Sequence, residues 1–267
     1  MEQTYDITWI MQSYLGDYPG SRSNPEVKFH RAVSSFLAMN DPRTQLVIAS
    51  DGCMLTHRLY NKHFKKFANI DYVFIDKDPN TTMHASKEED RAYYRGKPRQ
   101  AARALAKGVL TTYIDSDDFL RPEAANWIRT NWIAGIKEHE KALKWMRCTN
   151  WMEHASIMES WNAISSEMSI PDDVPMQPHG DIFEIKDLPD SWIEFRFKDW
   201  KTINQATMGL IHASNCKTKW KDVKSLKSDQ LSEDMLFSRG IQSEGPGVVI
   251  DAPFYVRCHH NKLGIDV

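Results

Sequence analysis

Four cysteines, Cys53, Cys148, Cys216 and Cys258, are spread over 267 residues, and no two stand at a zinc-binding spacing. That leaves no zinc module evident in the sequence. Reduced, buried thiols in a cytoplasmic setting are expected instead. No apolar run approaches the roughly 20 residues of a membrane-spanning helix. The opening MEQTYDITWIMQ lacks the basic region and long apolar core of a secretory leader, so no export signal is expected. Charge of one sign is not in excess. The formal net charge is -2, so no global field draws a polyanion, and a nucleic-acid partner would need a local basic patch. Neither GxGxxG nor GxxxxGK[ST] occurs, which leaves no sign of a Rossmann dinucleotide fingerprint or a P-loop. Internal repeats, low-complexity tracts and flexible linkers are also missing. What is present is an ordinary globular composition, 41% apolar and 26% charged, long enough for one large α/β core.

The first half alternates between strand and helix patterns. DITWIMQSY predicts a strand, and Pro25-Glu26 opens a helix over VKFHRAVSSFLAM. TQLVIASDG predicts a strand ending in an Asp-Gly turn. HRLYNKHFKKFA predicts an amphipathic helix, IDYVFIDK a strand, and GKPRQAARALAKG a helix ended by Gly108. VLTTYIDSDD predicts a fourth strand, followed by a helix over RPEAANWIRTNWIAGIKEHE. This rhythm implies an α/β fold with a mostly parallel sheet flanked by helices, and ligands binding beyond the carboxyl ends of the strands. The second half is less periodic. Strands are expected over ALKWMRCTNWM, in DIFEIKDLPDSWIEFRFKDWKTIN, over ATMGLIHAS and in GVVIDAPFYVRCHHNK; helices are expected in ASIMESWNAISSEMSIPDDVPM and LSEDMLFSRGIQS.

Asp115, Asp117 and Asp118 crowd the end of the fourth predicted strand, and Asp51 ends the second. Neighbouring carboxylates repel unless a cation intervenes. Mg²⁺ or Mn²⁺ favours such oxygens and lets substrate phosphates complete its shell. The competing reading makes Asp117 and Asp118 caps of the next helix. Arg91, Arg95, Lys97, Arg99, Arg103 and Lys107 form a stretch without an acid. Arg99 and Arg103, four apart on one helical face, would either neutralise a diphosphate or hold the fold's own acids. In SEDML, Ser232 is a helix-cap candidate, with Glu233 and Asp234 on the first turn, where one acid could act as a general base toward a hydroxyl. RCHHNK offers His259 and His260, one of which would face a site on an extended strand. Trp151, Trp161, Trp192 and Trp200 serve either core packing or stacking on a sugar or base.

In this order, the motifs resemble the GT-A fold nucleotide-sugar glycosyltransferases, especially family 2. The resemblance covers most of the chain and is strongest over residues 5–120 and 230–262. It implies a single GT-A-like catalytic domain over 1–267, with 1–120 binding the nucleotide sugar and 121–267 supplying an integrated acceptor region and the catalytic base. It further implies that Asp51 contacts the nucleobase or nucleoside, and that YIDSDD is the family DxDD motif. Asp115 and Ser116 then lie toward the ribose, Asp115 and Asp117 hold the metal, and His259, with His260 as the alternative, is a further ligand. Tyr14 and Arg22 of the early loop, with Arg99 and Arg103, fall to the donor. Glu233-Asp234 matches the ED motif, with Asp234 as base. The early loop lacks the family's common asparagine, and GKPRQAAR stands where members often show arginine then asparagine. The implied reaction is metal-dependent sugar transfer from a nucleoside diphosphate sugar to a hydroxyl, with inversion. The acceptor would be a glycan or a hydroxymethylated base of phage DNA, the latter aided by basic residues in 57–67 and 91–107. The other classes to weigh are a metal-dependent nucleotidyltransferase, which would consume a nucleoside triphosphate, and a non-catalytic nucleotide-sugar or nucleic-acid binding module.

Overall fold

Alternation along the first strand, β1 (Tyr5–Ser13), feeds both faces of the central sheet. Ile7, Trp9 and Met11 enter one core cluster and Ile10 enters the other, since residues two apart share a face of a strand. In β2 (Thr44–Asp51), Leu46 and Ile48 join the first cluster and Val47 and Ala49 the second. Every residue of β2 is buried, which suits a parallel strand covered on both faces. The computed structural model describes residues 5–16, 25–76, 96–139, 142–148, 150–154, 176–179, 182–185, 192–196, 207, 209–221 and 233–256.

The remaining strands are β3 (Ile70–Ile75), β4 (Gly108–Asp115), β5 (Phe119–Leu120), β6 (Trp145–Cys148), β7 (Asn150–His154), β8 (Met176–His179), β9 (Ile182–Ile185), β10 (Trp192–Arg196), β11 (Leu210–Ala213), β12 (Gly247–Ile250) and β13 (Tyr255–Val256). Seven of them form the central sheet in the order β12-β6-β11-β4-β1-β2-β3. Neighbours pair in parallel except around β11, which runs antiparallel to both β4 and β6. A second sheet has the order β10-β7-β13-β5, and β8 pairs with β9. This is the α/β, mostly parallel, GT-A-like arrangement expected from the sequence.

Helices cover the two faces of the central sheet. In α1 (Pro25–Ala38), Phe29, Ala32, Val33 and Phe36 recur at helical spacing and join the first core cluster. Ala124, Ala125, Ile128 and Trp132 of α4 (Ala124–His139) join the same cluster. Ala102 of α3 (Gly96–Ala104) and Phe237 and Ile241 of α5 (Glu233–Ser243) join the other. The amphipathic segment after β2 is a short helix, α2 (Met54–Leu59), that widens into a π-turn over Tyr60–Phe64. Asn61 Nδ2 donates to the His57 carbonyl at 3.0 Å, taking an acceptor of the regular ladder, and the Lys65 amide closes on the Tyr60 carbonyl at 2.9 Å.

Three local expectations are corrected. α3 ends at Ala104, and Gly108 is the first residue of β4 rather than a helix stop. There its amide donates to Thr8 Oγ1 at 2.9 Å, and a Cβ would stand 2.6 Å from the Thr8 backbone nitrogen. Asp117 and Asp118 do not cap the next helix, because β5 intervenes before α4 begins at Ala124. The stretch ALKWMRCTNWM holds two strands that belong to different sheets. The helix expected in 155–176 falls outside the described residues except at Met176, which opens β8. Among the described residues, no helix is long and apolar enough to cross a membrane.

Candidate functional site

Parallel pairing brings two expected carboxylates to one edge. Gln12 of β1 lies in register with Asp115 on one side and Ala49 on the other, and Asp51 ends β2 two residues later. Gln12 Nε2 donates to Asp51 Oδ2 at 3.1 Å, which orients that acid across the strand ends. Gln12 was not singled out in the sequence, although its place near the end of an apolar strand is a usable signal.

The acidic turn is built from long-range contacts. The Asp118 amide reaches the Asp115 carbonyl at 3.3 Å, closing a turn after β4. Arg31 of α1, itself buried, donates Nη2 to the Asp117 carbonyl at 2.6 Å and lies over the Phe119 ring. Tyr255 of β13 donates its hydroxyl to Asp118 Oδ2 at 2.7 Å and accepts the Asp115 amide at 3.1 Å. Burial, with Asp118 and Asp115 alongside, holds the phenol well above its ordinary pKa, so it remains a donor. Asp117 and Asp118 are buried, whereas the Asp115 side chain is 59% exposed. One oxygen from each of the three carboxylates lies within 4.8 Å of the others, so the cluster can hold a cation. An all-oxygen, anionic donor set suits a hard divalent ion such as Mg²⁺ or Mn²⁺.

A second acidic group meets the first through Arg99. Its buried guanidinium donates Nη1 to Asp234 Oδ1 at 2.5 Å and to Glu233 Oε1 at 3.4 Å, and Nη2 to Asp115 Oδ1 at 3.4 Å. Burial alone would lower its pKa, but Asp234, Asp115 and Glu233 outweigh burial and raise it. Arg99 Cζ lies 4.7 Å from the Trp220 ring centroid, and Trp220 stacks on Phe237 at 4.2 Å and 5°. Arg103, one turn on, lies over Phe237 and donates to the carbonyls of Thr218 and Cys216. It therefore ties the 214–220 loop to α3 and α5. Of the two roles left open for this pair, Arg99 holds the fold's own acids, whereas Arg103 is directed at main-chain carbonyls. Arg147 of β6 approaches α5 from inside, donating Nη2 to Ser238 Oγ at 2.5 Å. Burial lowers its pKa to about 10, with Cys148 and Asp234 opposing.

Behind this assembly lies a buried relay. His212 Nδ1 faces the Ala213 carbonyl at 2.9 Å, so it carries the proton, and Nε2 accepts from the Tyr113 hydroxyl at 3.0 Å. Trp220 Nε1 donates to the same hydroxyl at 3.3 Å. Tyr113 precedes the acidic motif by two residues, so the relay connects the strand that delivers Asp115 to the loop that carries Trp220.

Tyr14, Ser116 and Asp117 line a small, open pocket together with Lys28, a buried α1 lysine. Lys97 and Lys107 lie away from this cavity's lining, Lys107 pairing with Asp71 at 3.1 Å. Arg22, Arg91, Arg95, Trp161, Trp200, Ser232, His259 and His260 lie outside the described residues, as do the side chains of Trp151 and Trp192.

No family model matches the chain, and no curated protein matches it. Solved structures do. S. aureus TarS 1-349 in complex with UDP-GlcNAc superposes with a TM-score of 0.55 at 16% identity, covering 98% of this chain and 62% of that one. TarS 1-349 without that ligand gives 0.54 at 16% identity, covering 94% and 59%, and TarS 1-349 in complex with UDP gives 0.51. The chain thus spans about six-tenths of the TarS 1-349 chains. At this identity the likeness is one of fold, and the fold shared with TarS is the GT-A-like arrangement described above.

Proposed function

We propose that the protein is a metal-dependent glycosyltransferase that moves a sugar from a nucleoside diphosphate sugar to a hydroxyl acceptor with inversion. The observation that carries this reading is the joining, through Arg99, of two acidic groups at one sheet edge: Asp115 of the cation-competent cluster and Glu233-Asp234 at the start of α5. A nucleotidyltransferase would share the first group, but the separate acid pair suits a hydroxyl acceptor that must lose a proton.

Asp115 and Asp117, with His259 as the expected further ligand, would hold the cation, which when bound offsets charge on the departing diphosphate. Asp51 would orient the nucleoside, and Tyr14 and Ser116 the cavity side of the donor. Arg22 is the remaining candidate for a diphosphate contact from the early loop. Asp234 would accept the acceptor's proton as its oxygen bonds to the anomeric carbon and the bond to the diphosphate breaks. One base and one displacement invert the anomeric centre. TarS was solved with UDP-GlcNAc and with UDP, so a uridine diphosphate sugar is the first donor class to examine. A glycan is the favoured acceptor.

A panel of nucleotide sugars with Mn²⁺ or Mg²⁺, followed for nucleoside diphosphate release, tests the reading. Release from one donor is expected, with Asp234→Asn lowering turnover by about 100-fold or more while the fold persists. Release of pyrophosphate from a nucleoside triphosphate, and none from any nucleotide sugar, would sink it.

A further inference from the structure

Two donors reach the Asp234 carboxylate among the described residues, and both reach the same oxygen. Arg99 Nη1 lies 2.5 Å from Oδ1, and Thr207 Oγ1 lies 3.5 Å from it. Thr207 is buried, and the Asp234 side chain is 24% exposed, so the carboxylate is gripped from the protein side and open on another. A carboxylate accepts at two oxygens, and donors on one leave the other for a third partner. Arg99 cannot serve as the proton's destination, because guanidinium does not deprotonate in proteins. Its own orientation is set by the Trp220 ring, which Phe237 stacks upon and the Tyr113 hydroxyl anchors. The other nitrogen, Nη2, reaches Asp115, so one rigid fork spans both acidic groups.

On the sugar-transfer reading, we propose that Arg99 and Thr207 are positioning residues that fix Asp234 Oδ1 and present Oδ2 as the oxygen that takes the acceptor proton. The role differs from a diphosphate clamp. A clamp contributes to donor affinity, whereas a residue that aims the base contributes to the turnover step and leaves donor affinity unchanged.

Arg99→Ala, Arg99→Lys and Thr207→Val are compared with the unaltered chain for UDP release from UDP-GlcNAc, or from whichever panel sugar the unaltered chain cleaves, with Mn²⁺. UDP affinity is measured separately by calorimetry. Misaiming a catalytic group by about 1 Å costs about 100-fold, so kcat is expected to fall by about that factor in Arg99→Ala. A smaller loss, about tenfold, is expected in Arg99→Lys, which keeps the charge but not the fork, and in Thr207→Val. Donor KM and UDP affinity should stay within about threefold throughout. Added guanidinium at millimolar concentration should restore part of the turnover of Arg99→Ala and none of Thr207→Val. Should Arg99→Ala fail to fold, Arg99→Lys and Thr207→Val carry the decision. A large rise in donor KM and weaker UDP binding with kcat unchanged would make Arg99 a clamp and overturn the inference alone. Unchanged kcat in both Arg99→Lys and Thr207→Val would do the same. No release by the unaltered chain from any nucleotide sugar defeats the transferase reading, and this inference with it.

Discussion

His212 has both ring nitrogens engaged inside the sheet, against the Ala213 carbonyl and the Tyr113 hydroxyl. Burial lowers its pKa from 6.5 to about 4, so the native imidazole is neutral at pH 7. Well above pH 6.5 neither the folded nor the unfolded ring is charged, and the group has no pH-dependent effect on stability. As pH falls from 6.5 toward 4 the unfolded chain binds the proton first, and stability drops by about 1.4 kcal/mol per pH unit. His212→Gln removes that dependence. Urea unfolding should show its loss between pH 7 and pH 5 to be smaller than that of the unaltered protein by about 2 kcal/mol. Equal losses would show that the ring is not buried neutral. Tyr255 makes a different residue-level prediction. Its hydroxyl is the donor to buried Asp118 Oδ2 and the acceptor for the Asp115 amide. Tyr255→Phe keeps the ring and deletes only those bonds, so guanidinium chloride unfolding should show a loss of about 1–3 kcal/mol.

At the scale of elements, the strand ends and helix faces were legible because each follows a local period. Trp9 and Ile10 alternate between two clusters, and Phe29, Ala32, Val33 and Phe36 trace one stripe. The DSDD turn also announced itself, since three acids after an apolar strand are a local pattern. The contacts that make these elements a site follow no such pattern. Arg99 and Asp234 are 135 residues apart, and Tyr255 and Asp118 are 137 apart. Nothing local in GKPRQAAR distinguishes an arginine that meets acids from one that meets a ligand. Trp220, which Arg99 lies against, stands in a loop with no periodicity at all. Gly108 was misread for the same reason: as punctuation after a helix it looked like a stop, but its smallness answers to β1. A Cβ there would stand 2.6 Å from the Thr8 nitrogen and 2.8 Å from the Ile7 carbonyl carbon, both backbone atoms that cannot rotate away. Gly108→Ala should therefore push β4 off β1 and cost about 1–3 kcal/mol in thermal or denaturant unfolding. Because β4 delivers Asp115, the same change should weaken cation binding. An alanine variant as stable as the unaltered chain would show that the strand pair can part without cost.

Over the whole molecule, the candidate site draws Gln12 from β1, Asp51 from β2, Arg99 from α3, Asp115 from β4, the acid pair from α5 and Tyr255 from β13. The order of Asp51, Arg99, Asp115 and the acid pair along the chain was readable in the sequence as a resemblance, whereas Gln12, Tyr255 and the pairing of all of them required the fold. A ligand bound across such a site links segments from both halves of the chain, so its binding opposes unfolding of all of them together. A ligand that binds only the folded state at about 100 times its dissociation constant stabilises it by about 2.7 kcal/mol. Mn²⁺ with UDP should therefore raise the unfolding midpoint, and each should raise it less when added alone, because an ion held by carboxylates completes its shell with the diphosphate. Asp117→Asn leaves an isosteric side chain in the acidic turn but removes one negative charge from the cluster that could hold an ion. In that variant the increment from Mn²⁺ should shrink to near zero while any increment from UDP alone persists. Differential scanning fluorimetry with Mn²⁺, with UDP in the presence of a chelator, and with both separates the two contributions. An Mn²⁺ increment of the same size in Asp117→Asn would show that the acidic turn does not hold the ion, and the turn would then be a device for anchoring β5 and β13 rather than a metal centre.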